Sequence, residues 1–251
     1  MTVLMSEMTW PEYESKVQDA VVLLPVGSTE QHSYHLPLGV DYYQINEISK
    51  LVATSIDGIV APAIPFGYKS LPHSGGGQTF PGTTSLSAET LILLVKDILV
   101  EFIRHGAEQI IVMDGHYENG MFLSEAIDLA LKESNQKSVK ILKASFVDML
   151  DDEVVTPYYK NGFPGYSLEH AAFIETALMM KLKPDLVQQD KIEPAEANLP
   201  RYEVFPQQEG VVPKSGSLAD PTGATKEAGE IFVNNIVGNY VQSIKKEFNI
   251  T

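Results

Sequence analysis

Short apolar runs alternate with longer amphipathic ones along this chain. "AVVLLPVG", β-branched and apolar on both faces, predicts a central parallel strand, and "EQIIVMDGH" a buried one. "GIVAPAIPFG" and "SVKILKASFVDML" predict two further strands. "TWPEYESKVQDA", "VDYYQINEISKLVATSI", "SAETLILLVKDILVEFIRHGA", "ENGMFLSEAIDLALKESN", "YSLEHAAFIETALMMKL" and "TKEAGEIFVNNIVGNYVQSIKKEF" predict helices. Their ends carry stop and start signals: Thr9 before Pro11, Glu12 and Glu14, and Ser87 before Glu89, with Gly106 closing that helix. Strand and helix in alternation predict right-handed βαβ units, hence an α/β fold with one mostly parallel sheet flanked by helices. Residues 183 to 225, rich in proline and polar side chains, predict a surface loop system within a single domain spanning 1–251, since no second core follows.

Composition narrows the function. A chain of 251 residues with 44% hydrophobic and 20% charged residues has enough apolar side chains for a sizeable core and is not a disordered polymer. Its 33 acidic against 18 basic residues give a formal charge of −15, which repels phosphate backbones and anionic lipid, so neither nucleic acid nor membrane is expected as a partner. Cysteine is absent, which excludes disulfides, thiolate zinc sites and thiol nucleophiles. Any metal must therefore be held by His, Asp and Glu. "MTVLMSEMTWPEYESKVQDA" has neither a basic start nor a sustained apolar stretch, and a cytoplasmic protein is expected.

The polar residues cluster where strands end. "GSTEQHSYHLPLGVD" follows the first strand and carries Glu30, His32, His35 and Asp41 without a lysine or arginine to balance them; Asp114, His116 and Glu118 follow "IIVM". Ligands of open α/β sheets bind at such carboxyl ends. In an extended segment side chains two apart share a face, so Glu30 with His32, and His116 with Glu118, form two pincers that with Asp41 make a five-ligand pocket. Imidazole with carboxylate suits Zn, Mn or Fe, and a bridging carboxylate can hold a pair of ions. The alternative is that these groups only hydrogen-bond the loops around them. A Gly-x-Ser-x-Gly elbow, which a serine hydrolase of this fold class would need, does not follow any strand.

"PVGSTEQHSYHLPLGVD", "HSGGGQTFPGTTS", "DGHYENGMF" and "GYSLEHAAFIETA" resemble, in order, the signature segments of the creatininase (creatinine amidohydrolase) family, over a stretch from about Val22 to the last helix. The resemblance implies two divalent ions per subunit, Zn and Mn or Zn and Zn. One would be held by Glu30, Asp41, His116 and Glu118, the other by His32, Asp41 and Glu175, with Asp41 bridging. It implies catalytic roles for Glu118 and for His170 as proton shuttle, and substrate contacts for Ser74, Tyr117, Tyr166, Glu169 and His170. The implied reaction is hydrolysis of a cyclic amide, creatinine to creatine in the leading case, by a hydroxide held between the ions, in a homohexamer. Other members of the superfamily act on another lactam, a formamide or a peptide bond, and a non-catalytic metal-binding protein is a further alternative. The likeness departs at two positions. The family closes over its flat substrate with two tryptophans, whereas the one tryptophan here is Trp10, and Val147 and Tyr166 stand at the matching places. His35 and His73 are expected behind the ligands or on the surface, and His105 at a helix end.

Overall fold

The computed structural model describes residues 2–160 and 162–250. Helix α1 (Trp10–Lys16) leads into β1 (Val22–Val26), followed by α2 (Val40–Ile56), β2 (Ile59–Val60), α3 (Ala88–Arg104), β3 (Gln109–Asp114), α4 (Gly120–Ser134) and β4 (Lys140–Ser145). A short α5 (Asp152–Val155), then α6 (Phe173–Leu182) and α7 (Lys226–Phe248), complete the order. The four strands form one parallel sheet in the order β2-β1-β3-β4. This is the single-domain α/β architecture that the strand–helix alternation predicts.

Side chains of the central strands alternate between two apolar layers, as the pleat requires. Leu23, Ile111 and Met113 face a layer built with α2, α6 and α7, and Leu24, Val26, Ile110 and Val112 face one built with α1, α3 and α4. The predicted start signals act as expected: Glu12 accepts the Thr9 N–H at 2.7 Å, and Ser87 accepts the Thr90 N–H at 3.3 Å.

Three elements depart from the sequence prediction. The run 58–67 yields a strand of only two residues, because Pro62 and Pro65 have no N–H to donate and end the ladder. That brevity has a counterpart in β1, where Pro25 sits opposite Met113 in a central strand. Its carbonyl accepts from Ile64 on the β2 side, where the missing Pro25 N–H would also point, and there β2 has already stopped. Helix α6 begins at Phe173 rather than near Tyr166; Tyr166–Leu168 is an isolated 3-10 turn. The third departure lies in the predicted surface loop, where Ser215, Ser217 and Leu218 are buried.

Helix α6 is not amphipathic: all of Phe173–Met180 is buried, so it runs through the interior between α2 and α7. Its approach to α7 depends on Gly229, where an added Cβ would overlap the Ala177 carbonyl. Alanine at 229 would gain about 1 kcal/mol of helix propensity. The overlap is with backbone, however, and prising packed helices apart costs about 1–3 kcal/mol or more, so the steric term wins. Gly229→Ala is expected to lower the melting temperature by several degrees in scanning calorimetry; an unchanged or higher value would show that the helices can separate freely.

Candidate metal centre

Five side chains from four elements meet beyond the carboxyl ends of β1 and β3. Glu30 and His32 come from the loop after β1, His116 from the residue pair after β3, Asp41 from the first turn of α2 and Glu175 from the first turn of α6. The first turn of α2 can press against both strand ends because Gly27 and Gly115 present no Cβ there: one on Gly115 would lie 2.7 Å from the Asp41 carbonyl, and one on Gly27 2.6 Å from the Tyr42 Cα.

Asp41 sits between the two histidines. Its Oδ2 lies 3.1 Å from His116 Nδ1, which is also 3.1 Å from Glu30 Oε1. Its Oδ1 lies 3.2 Å from His32 Nε2, which is 3.4 Å from Glu175 Oε2. Glu30–Asp41–His116 and His32–Asp41–Glu175 are thus two buried donor groups sharing one carboxylate, and Glu30, His32 and His170 form a third buried cluster beside them.

The far nitrogens of the two rings show what these groups need. His32 Nδ1 lies 3.2 Å from the Glu30 carbonyl and His116 Nε2 lies 3.1 Å from the Tyr68 carbonyl. A carbonyl only accepts, so those nitrogens carry the hydrogens. In a neutral ring the lone pair of each histidine then faces carboxylate oxygens, which repels unless a cation lies between. Glu30 Oε2, His32 Nε2 and Asp41 Oδ2 are buried without a hydrogen-bond partner. Among the described residues every ion pair of Glu30, Asp41, Glu118 and Glu175 is to histidine.

The titration behaviour expresses the same demand for positive charge. Burial disfavours the charged form of His32, but Glu175 and Asp41 outweigh it and hold the ring well above its ordinary pKa. Burial acts likewise on His116 and is overcome by Glu30 and Glu118. Burial would raise Asp41, yet His32 and His116 hold it far below the usual carboxylate range. Glu30, with burial dominant, is pushed up to about 7. A buried set of imidazole and carboxylate donors that draws cationic charge fits a divalent metal of the zinc and manganese type.

Glu118 stands apart from the three groups. It lies on a 3-10 turn, Tyr117–Asn119, rather than in an extended segment, so it does not pair with His116 as one pincer. Its Oε1 accepts from Leu71 N at 2.9 Å and Ser74 Oγ at 2.7 Å. Its Oε2 is buried without a hydrogen-bond partner, 3.3 Å from His116 Nε2, the nitrogen turned away from Glu30 and Asp41. Asp114 serves the turn itself, accepting from His116 N and Asn119 Nδ2.

Above the donor groups opens a cavity whose walls include Ser74, Tyr117, Val147, Tyr166, Glu169 and His170. Tyr117 is exposed at the rim. The Tyr166 hydroxyl is tied to the Leu150 carbonyl at 2.9 Å and to Asp152 at 3.2 Å, and its ring stands edge-on to Phe163. Glu169 has both oxygens engaged, one by the Tyr159 hydroxyl and one by Ile174 N, and burial raises it to about 8. His170 is buried, with its ring 4.4 Å from that of His32; burial first, and then His32, hold it well below the ordinary imidazole value.

His170 does not start a helix. Ala171 after it adopts φ 51°, a left-handed conformation that disfavours a Cβ. The turn is held because Glu175 Oε2 accepts the Ala171 N–H at 2.6 Å and Ser217 Oγ donates to the Ala171 carbonyl at 2.8 Å. Glu175 is the third residue of α6, and its side chain reaches back over the N-terminus, past the N-cap Ala172, to the N–H of Ala171. His35 is fully buried rather than superficial, bonded to Thr176 Oγ1 at 2.8 Å, with burial lowering it to about 4. His73 is half-buried and His105 follows the last turn of α3. Sequence reasoning missed Gln31 and the 215–218 segment, both packed on His170. Gln31 lay inside the quoted acidic loop, but a neutral amide gives no charge signal.

Comparison with known proteins bears on this centre. The Creatininase family model, described as creatinine amidohydrolase, matches residues 6–244. The creatinine amidohydrolase of Pseudomonas putida is 41% identical over 254 residues, covering 98% of each chain. The mycofactocin precursor peptide peptidase of Mycobacterium ulcerans is 29% identical, covering 95% of this chain and 86% of its own. A crystal structure of creatinine amidohydrolase (creatininase) superposes with a TM-score of 0.97 at 40% identity, covering 100% of this chain and 99% of that one. In sequence and in fold, this chain belongs to the creatininase family.

Proposed function

We propose that this chain is a metal-dependent amidohydrolase that opens a small cyclic amide, with creatinine to creatine as the leading case. The observation that carries the reading is the pair of donor groups sharing Asp41 at the floor of a cavity that His170 and Glu118 also face. Two divalent ions per chain, Zn and Mn or Zn and Zn, match this set: Glu30, Asp41 and His116, with Glu118 alongside, for one, and His32, Asp41 and Glu175 for the other. Such ions act as Lewis acids on a carbonyl and make hydroxide available near neutral pH.

The chain's own side chains supply the rest. Glu118, which lines the cavity and whose Oε2 is buried without a hydrogen-bond partner, would accept a proton from the attacking water. Ser74 and Leu71 N, both bonded to the other oxygen, hold that carboxylate in position. His170, on the wall of the same cavity, would act on the departing ring nitrogen. The Tyr166 ring, pinned by Leu150 and Asp152, offers one aromatic wall, while Val147 opposite offers contact without stacking. With Val147 rather than an aromatic residue beside Tyr166, the 29% identity to a peptide peptidase supports a second reading, in which the substrate is another lactam, a formamide or a peptide bond.

Further parts of the proposal are a homohexamer and a cytoplasmic location. The exposed Tyr202, Val204 and Phe205 support self-association, and a cysteine-free chain suits a reducing compartment. No helix among the described residues is long and apolar enough to cross a membrane.

Elemental analysis of purified protein is expected to find two divalent ions per chain, one in Glu175→Ala and none in Asp41→Ala. Chelation should lower the melting temperature, because an ion at about 100 times its Kd stabilises the fold by about 2.7 kcal/mol; equal melting with and without chelator would remove the metal reading. Creatinine at millimolar concentration should be turned over, and His170→Ala should reduce kcat by about 10²–10⁴-fold. Turnover of other lactams, formamides or peptides with none of creatinine would shift the assignment to the second reading. Light scattering should give the mass of six 27.6 kDa chains, and a monomer would dismiss the hexamer.

A further inference from the structure

Gln31 has no part in the roles above, yet its side chain is among the most tightly determined in the centre. Its Oε1 accepts from Ser33 N at 2.9 Å, and its Nε2 donates to the Gly216 carbonyl at 2.9 Å. One partner is a backbone donor and the other a backbone acceptor, so only one orientation of the amide satisfies both. Two loops clear the space for it. Gly76 and Gly216 have φ of 82° and 89°, and a Cβ at either would overlap the amide.

The remaining hydrogen on Gln31 Nε2 meets His170 Nε2 at 2.8 Å. An amide nitrogen donates and does not accept, so His170 Nε2 is the acceptor. The ring hydrogen then sits on Nδ1, the nitrogen 3.7 Å from Glu30 Oε1 on the side of the donor groups. Nδ1 has a hydrogen to share and no lone pair with which to take one.

We propose that Gln31 is a positioning residue that fixes His170 in its Nδ1–H tautomer, making the ring a hydrogen-bond donor to the nitrogen or oxygen that gains negative charge as the amide C–N bond breaks. This rests on the amidohydrolase reading. The proton balance closes without His170: water loses a proton to Glu118 as its oxygen bonds to the carbonyl carbon, and Glu118 returns it to the nitrogen that leaves with the C–N electron pair. His170 therefore stabilises charge and does not shuttle a proton, a revision of the role that the family resemblance implies.

The test is ¹⁵N spectroscopy of the histidine rings in the zinc-loaded protein, with the His170 signals assigned against His170→Gln. Wild type should show the Nδ1–H tautomer. Gln31→Glu places an acceptor where the amide donated and should move the hydrogen to Nε2, while Gln31→Met, of similar length, removes the bond and should leave a mixture of tautomers. Both variants should melt cooperatively, and Gln31→Glu should lose about 10²–10³-fold in kcat with KM changed less than threefold, as for loss of one transition-state donor. A wild-type Nε2–H tautomer, or a tautomer unmoved in both variants, would overturn the assignment. So would a Gln31→Glu protein with the tautomer moved and kcat intact. If wild type hydrolyses no amide at all, the functional reading fails, and the spectra still decide whether Gln31 sets the tautomer.

Discussion

Three carboxylates and two imidazoles are buried together at the floor of the cavity, with no lysine or arginine among them. Burying even one uncompensated charge costs several kcal/mol, so an enclosure lined by Glu30, Asp41 and Glu175 is stable only around positive charge. In this protein the demand falls on His32 and His116, whose backbone-bound far nitrogens leave the near ones facing the acids. The layout of the surrounding fold follows from bringing those groups together. Helix α2 abuts the strand ends at two glycines, and α6 is driven through the interior so that one glutamate in its first turn can reach the centre.

The sheet accommodates this by being short. Strand β2 stops after two residues, which frees the chain from 61 onward to leave the ladder and form the 70–78 loop over Glu118. The proline in β1 is tolerated for the same reason, since the neighbour that would have bonded its N–H is already departing. The long loops that look like decoration are therefore structural to the site. Ser74 and Leu71 N fix Glu118, and the segment 215–218 holds the turn that carries His170.

Much of this was legible in the sequence. Strand β3 and helices α3 and α7 stand out because their period and their caps agree, which is the condition for a local signal to survive folding. The charge imbalance of "GSTEQHSYHLPLGVD" pointed to a cation before any geometry was known. What was hidden had physical causes. Pro62 and Pro65 shortened a run that its apolar residues made look like a full strand. Glu175 hid among apolar neighbours on every side of α6, where helical period carries no information about facing. Ser215 and Ser217 read as surface because they are polar, but both are buried, Ser217 bonds the Ala171 carbonyl, and Gly216 and Leu218 beside them bond Gln31 and His170. Gln31 was silent because its contribution is the direction of a hydrogen, which neither charge nor hydropathy records.

One atom joins two tasks. Glu175 Oε2 accepts the Ala171 N–H that keeps the left-handed turn in place, and the same oxygen faces His32 Nε2. An oxygen has a limited reach, so an ion held by Glu175 would pull on the same oxygen that fixes the turn, and with it the neighbouring His170. Metal occupancy and the aim of a side chain in the cavity are in that sense one degree of freedom. The wall that would meet the substrate and the floor that would hold the ions therefore share a side chain, Glu175.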